Sequence, residues 1–210
     1  MITVPYIKSR EFGTEVPQEA VKADIACNNW PDQFPNSPSA KAFLWHNGDR
    51  LFIEYVVDEE YIAALACEDQ DHVYRDSCAE FFIAFDNNGY YNIESNCNGT
   101  ILMSHRRAKK VDIEYASPDV LHSIVRQPSL GNGKIECHAA EGPWRLRLSI
   151  PATAFFKHDL AGFAGLKARC NLFKCGDALP KPHFLSAFPI EAEAPDFHRP
   201  EFFREIVFDA

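Results

Sequence analysis

From residue 144 to residue 150 the chain alternates without a break: Trp144, Leu146, Leu148 and Ile150 are apolar, while Arg145, Arg147 and Ser149 are polar. A period of two is the mark of a strand with one buried face, because successive side chains leave opposite sides of the pleat. A helix would scatter these residues around its circumference. The β-rich run 51–57 follows Phe43-Leu44-Trp45 and the turn signal Asn47-Gly48. Further strands are expected over 20–27, 62–66, 78–85, 90–97, 100–104, 122–127, 134–140, 168–173 and 206–208. Only 151–156 reads as helical, a single turn opened by Pro151. Many short strands punctuated by Gly, Pro and Asn predict an all-β fold. The expected form is one domain over 1–210, a jelly-roll or immunoglobulin-like β-sandwich of two antiparallel sheets.

Between residues 174 and 203 the pattern changes. Five prolines (Pro180, Pro182, Pro189, Pro195 and Pro200) deny this stretch a central strand or a long helix. Phe184, Phe188, Phe197, Phe202 and Phe203 make it too aromatic for disorder. A long ordered loop is expected, packed on the scaffold and presenting Lys174, Asp177, His183, His198 and Arg199.

The net charge of −9 argues against nucleic acid or an anionic membrane as partner. The one basic run, His105-Arg106-Arg107 with Lys109-Lys110, reads as a solvated turn. No apolar stretch approaches the ~20 residues that span a bilayer. The first residues carry no secretory signal, so the cytoplasm is the default expectation, with secretion or the periplasm if a leader has been removed. Seven cysteines, an odd number lying mostly in apolar runs, favour reduced thiols over a disulfide framework. Cys170 and Cys175 lack a second pair, His183 and His198 have no recognised metal spacing, and Asp69, Asp71, Asp86 and Asn87 form no calcium-loop motif.

One hairpin can be worked further. Ala79, Phe81, Ile83 and Phe85 share a face, as do Tyr91, Ile93, Ser95 and Cys97. A three-residue loop with Gly89 in a left-handed position would set Phe85 opposite Tyr91 and Ile83 opposite Ile93. A two-residue loop would turn Glu94 into the core and is excluded by the cost of burying a carboxylate. Glu80, Phe82, Ala84, Asn92, Glu94 and Asn96 then share the other face, with Glu80 opposite Asn96 and diagonal to Glu94. That face is either a solvated outer surface or a site suited to sugars, whose hydroxyls both donate and accept. Trp45 and Trp144 read as core residues; Trp30, in a turn, and Tyr74, in a loop, are open to either role.

The segments DSCAEFFIAFDNNGYYNIESNCNGT, WRLRLSIP, NLFKCGDALPKPHFLSAFPI and PDFHRPEFF, in that order, resemble the family 9-like carbohydrate-binding proteins. The resemblance runs from about residue 20 to 208. It implies a jelly-roll-like β-sandwich related to DOMON-type domains, and binding of a saccharide without catalysis in polysaccharide use such as that of xylan. It also implies site residues: Tyr74 as an aromatic platform, Glu80 as the strand glutamate, Arg106 as a basic sugar ligand with Asn96 beside Glu80, and Lys174, Asp177, His183, His198 and Arg199 lining the same cleft. Where relatives tend to have Ser-Trp before the Pro-Ile step, this chain has Ser186-Ala187-Phe188, which offers Phe188 as the second stacking ring. Structural calcium occurs in some relatives, with no ligand set matched here. Two alternatives stand beside this reading: a glycoside hydrolase using Glu80 and Glu94, and a binder of another ligand or a protein through the Pro-rich loop.

Overall fold

The computed structural model describes residues 1–8, 12, 13 and 15–210. Two large sheets face one another. The first runs, in spatial order, through Ile2–Val4, Arg204–Phe208, Lys167–Cys175, Cys78–Ala84, Tyr90–Asn96, Ile101–Arg106 and Glu114–Tyr115. The second runs through Val125–Pro128, Trp144–Pro151, Arg50–Asp58, Ser39–His46 and Val21–Asp24. Among the described residues the strands pair antiparallel, except that Ile2–Val4 lies parallel to Arg204–Phe208 and Tyr6 makes a single parallel bridge to His46. Ile135–Ala139 and Tyr61–Ala64 form a small third sheet. The architecture is the expected β-sandwich.

The alternation noted in the sequence builds the core directly. Leu146, Leu148 and Ile150 meet Leu44, Ile53 and Tyr55 on the inner face of one sheet, and Phe81, Ile83, Ile93, Met103 and Leu172 cover the inner face of the other; all are buried. A fully buried Leu, Ile or Phe contributes roughly 1.5–3 kcal/mol relative to exposure, so this layer supplies the main drive for folding. Trp144 and Trp45 are buried, as expected; Trp45 stacks on Phe52 at 5.3 Å.

The register of the worked hairpin differs from expectation by two residues. Glu80 pairs with Glu94, Phe81 with Ile93 and Ile83 with Tyr91, and the connection spans residues 85–89. A slip of two keeps every side chain on its face, so hydrophobic alternation cannot distinguish the two registers. Local contacts decide: the Asp86 carboxylate accepts from the Asn88 backbone and side-chain N–H groups, and Phe85 leaves the strand to pack on Phe155 at 4.9 Å. A helix Pro118–Ser123, capped by Ser117, occupies the start of the segment expected as strand from 122; the strand itself is Val125–Pro128. The expected turn after Pro151 is a 3-10 helix, Ala152–Ala154.

The Pro-rich segment carries one short strand, Phe184–Ser186. It takes the place beside Phe173–Cys175 that Arg204–Phe208 vacates. Beyond it, residues 190–203 fold over the outer face of the first sheet. Trp30 pins them there: it is buried, and its indole Nε1 donates to the Ala192 carbonyl at 2.7 Å. Phe197 stacks on Phe173 at 4.3 Å, and Phe203 and Ile190 join Phe82, Tyr90 and Leu102 in a second apolar cluster. The face bearing Glu80 and Glu94 is therefore roofed and opens into a cleft.

Candidate functional site

The cleft has a volume of about 450 Å³ and is lined by Tyr74, Glu80, Glu94, Arg106, Tyr115, Asp177 and His198, with Lys109, Phe184, Asp196 and Phe197 at its sides. That size and mixture of apolar walls with convergent polar groups is typical of a small-ligand site. Its floor is the sheet. Glu80 and Glu94 lie opposite one another on adjacent strands, both buried. Burial pushes both carboxyls up, helped at Glu80 by the facing Glu94. Glu80 ends well above the usual range and Glu94 at about 7, where the neighbouring Arg106 and the Asn92 amide act in the opposite direction. Asn92 donates to Glu94 Oε1 at 2.9 Å and its own oxygen accepts from Ser104, whose hydroxyl in turn accepts from Arg106 Nε and Nη2 at 3.1 and 2.8 Å. This chain of bonds fixes the guanidinium over the floor.

The walls come from loops. Tyr74 sits in the 3-10 turn Val73–Arg75, tied to the far loop by Asp177 N–H donating to the Tyr74 carbonyl at 3.2 Å. Burial also raises the Asp177 carboxyl, to about 6. Tyr115 is the end of the short strand paired to Ser104 and is 55% exposed. Gln70 holds that wall: its amide donates to the Met103 and Ala116 carbonyls and accepts from Met103 N–H. His198 is neutral, burial and Arg106 holding it down to about 3, and shares a 2.9 Å hydrogen bond with the Tyr90 hydroxyl. Lys109 pairs with Asp196 at 3.1 Å, joining the roof to the turn after Arg106.

Of the residues expected at the site, Tyr74, Glu80, Arg106, Asp177 and His198 are brought together, and Glu94 joins them. The other five are elsewhere. Asn96 is spent internally: its amide donates to the Ala66 carbonyl and Asp76 Oδ2, and its oxygen accepts from Thr100 N–H. Lys174 points to the other side of its strand, fully buried, with Nζ 2.9 Å from Glu59 Oε2 and 2.7 Å from His183 Nε2. His183 is held down to about 2 by burial and by Lys174, so it is neutral; its Nε2 accepts from the ammonium while Nδ1–H reaches the Lys181 carbonyl. Phe188 packs against the inter-sheet core and does not line the cleft. Arg199 pairs with Glu201 at 2.6 Å and lies over the Phe202 ring.

The basic run also divides. His105 and Arg106 end a buried strand, and only from Arg107 onward is it a solvated turn. Tyr115 was not singled out in the sequence. Its signal is faint, because Glu114–Tyr115 is only two residues long. The acidic loop residues do not suit calcium: Asp69 is taken by both terminal nitrogens of Arg126, at 2.6 and 2.8 Å, and Asp86 by Asn88.

A sandwich whose outer face is roofed into a cleft of tyrosines, carboxylates and one guanidinium defines a carbohydrate-binding protein class. The model of carbohydrate-binding family 9 matches residues 16–208, and the chain belongs to that family. It is similar to a candidate carbohydrate-binding protein from Bacteroides uniformis ATCC 8492, with 32% identity over 99% of both chains and a TM-score of 0.89. It also shares its fold with a family 9 module from Caldicellulosiruptor kristjanssonii. The glucose complex of that module gives 15% identity, a TM-score of 0.61 and coverage of 99% and 95%. Its cellotriose complex gives 14%, 0.59, and 99% and 93%. No curated protein matches.

Proposed function

We propose that the cleft holds a pyranose, as a free sugar or the end of an oligosaccharide, without cleaving it. Tyr74 and Tyr115 offer ring faces to the apolar faces of the sugar, while Glu80, Glu94 and Asp177 accept from its hydroxyls and Arg106 donates to them. The observation that carries the reading is the convergence of these two rings, three carboxylates and one guanidinium on about 450 Å³. Calorimetric titration with glucose and cellotriose, the ligands of the C. kristjanssonii module, and then with xylose and galactose oligomers tests it. Saturable binding that Tyr115→Ala weakens about fivefold supports it, and silence across the panel overturns it.

A hydrolytic reading has one observation in its favour, the direct opposition of Glu80 and Glu94. Opposed strand residues are close neighbours, with Cβ atoms ~4.5–5.5 Å apart, and retaining glycosidases use a pair of neighbouring carboxyl groups. Against it, burial shifts both carboxyls upward, whereas retaining hydrolysis needs one of the pair kept ionised as nucleophile. Release of reducing sugar from a broad glycan panel, abolished in Glu94→Gln, would restore it.

A further inference from the structure

Beneath the cleft, on the other edge of the strand that carries Glu80, the pairing of Cys78–Ala84 with Lys167–Cys175 sets two cysteines side by side. Cys78 and Cys175 are direct partners on adjacent antiparallel strands, and Glu80, two residues beyond Cys78, shares their face. All three are buried, and one ligand atom from each lies within 4.8 Å of the others. The Cys175 thiol donates to Glu80 Oε1 at 3.1 Å, and Cys78 Sγ stands 3.9 Å from the same oxygen. Tetrahedral zinc with bonds of about 2.3 Å to sulfur and about 2.1 Å to oxygen places sulfur and oxygen about 3.6 Å apart, and the two observed separations bracket that value.

We propose that Cys78, Cys175 and Glu80 form a three-ligand site for a soft divalent cation of the zinc type, with its fourth position toward the cleft. Two thiolates select a borderline-soft ion over calcium or magnesium. Cys175 and Glu80 line the cleft whereas Cys78 lies behind them, so the open position faces the bound ligand, where a water or a sugar hydroxyl completes the tetrahedron. In the metal-free state the two thiols share one carboxylate oxygen, which leaves the buried cluster polar but satisfied. On binding, two S–H bonds and the Glu80 O–H bond break, two sulfur–metal bonds and one oxygen–metal bond form, and the three protons pass to solvent; nothing is oxidised or reduced. The site goes beyond the saccharide reading, with which it shares only Glu80.

The experiment uses the reduced, metal-free full chain with the exposed Cys67 and Cys137 changed to serine. Co²⁺ alone is titrated, without sugar, then displaced by Zn²⁺. The expected result is a single equivalent showing tetrahedral d–d bands and thiolate-to-cobalt charge transfer, bleached by Zn²⁺. Cys78→Ala, Cys175→Ala and Glu80→Gln should each weaken binding by more than about 100-fold, above the 10–100-fold typical of outer-sphere partners. If an alanine variant does not fold, the isosteric Cys175→Ser is used, and its melting temperature should no longer rise with Zn²⁺. Absent bands, bands that persist in the Cys175 variants, or formation of a Cys78–Cys175 disulfide in place of metal uptake would overturn the proposal. Because sugar is titrated separately, loss of either activity leaves the other measurable.

Discussion

Removing the Lys174 ammonium should cost the fold dearly and the cleft almost nothing. Lys174 is fully buried, and its charge is met by Glu59 at 2.9 Å; Glu59 in turn accepts from the Trp144 indole at 2.6 Å. Lys174→Met keeps the volume but strands a carboxylate in the core, with one neutral donor for company. Breaking a buried pair from one side costs ~3–5 kcal/mol. A chain of 210 residues unfolds with an entropy of about 0.44 kcal/mol/K, so Tm should fall by roughly 7–11 °C. Changing the pair together, Glu59→Gln with Lys174→Met, removes both charges and should recover at least half of that loss. Differential scanning calorimetry reads the stability, and calorimetric sugar titration should give a Kd within about twofold of the parent, since no contact with the cleft changes. An unchanged Tm in the single variant, or a tenfold loss of sugar affinity with Tm intact, would refute the assignment of Lys174 to the interior.

Tyr74→Ala and Tyr115→Ala should each weaken glucose or cellotriose binding about fivefold, near 1 kcal/mol per ring, and their effects should add in the double variant; titration at constant temperature checks both. Buried, neutral His198, held down to about 3 against an ordinary 6.5, contributes stability that is complete above pH 6.5 and drains away as pH falls towards 3, because the unfolded chain takes up a proton that the folded one refuses. Urea melts between pH 7 and pH 5 should therefore show a mean slope that His198→Gln reduces by about 0.7 proton, or ~1 kcal/mol per pH unit. Gly89→Ala should destabilise by ~1–3 kcal/mol and weaken sugar binding through Arg106: its φ is +156°, and a Cβ there would lie 2.6 Å from the Arg106 carbonyl oxygen and 2.6 Å from the His105 ring. Denaturant melts and sugar titration of that variant should move together.

Strand positions and their inward faces were legible in the residues because alternation is a local property: Phe81 and Ile83, or Leu146 and Leu148, can only face one way once the period is set. The same logic placed Glu80 and Glu94 together on the other face. It could not fix which residues stand opposite, since a shift of two preserves every face, and the loop contacts of Asp86, Asn88 and Phe85 made that choice. Nor could it tell a solvated outer face from a roofed one. That depended on Trp30 reaching Ala192, a contact between residues 162 positions apart.

Residue chemistry thus determined the sheets, their apolar faces and the presence of a polar strip with sugar-like complementarity. The site itself waited on the tertiary structure. Lys174 and Cys175 are neighbours in the chain, yet the pleat sends one into the interior against Glu59 and the other to the cleft floor beside Cys78. Tyr115, from a strand of two residues, becomes a wall only because Gln70 binds it in place. Side-chain direction in a strand follows from sequence parity, but what lies on each side is decided by long-range packing, which no local pattern encodes.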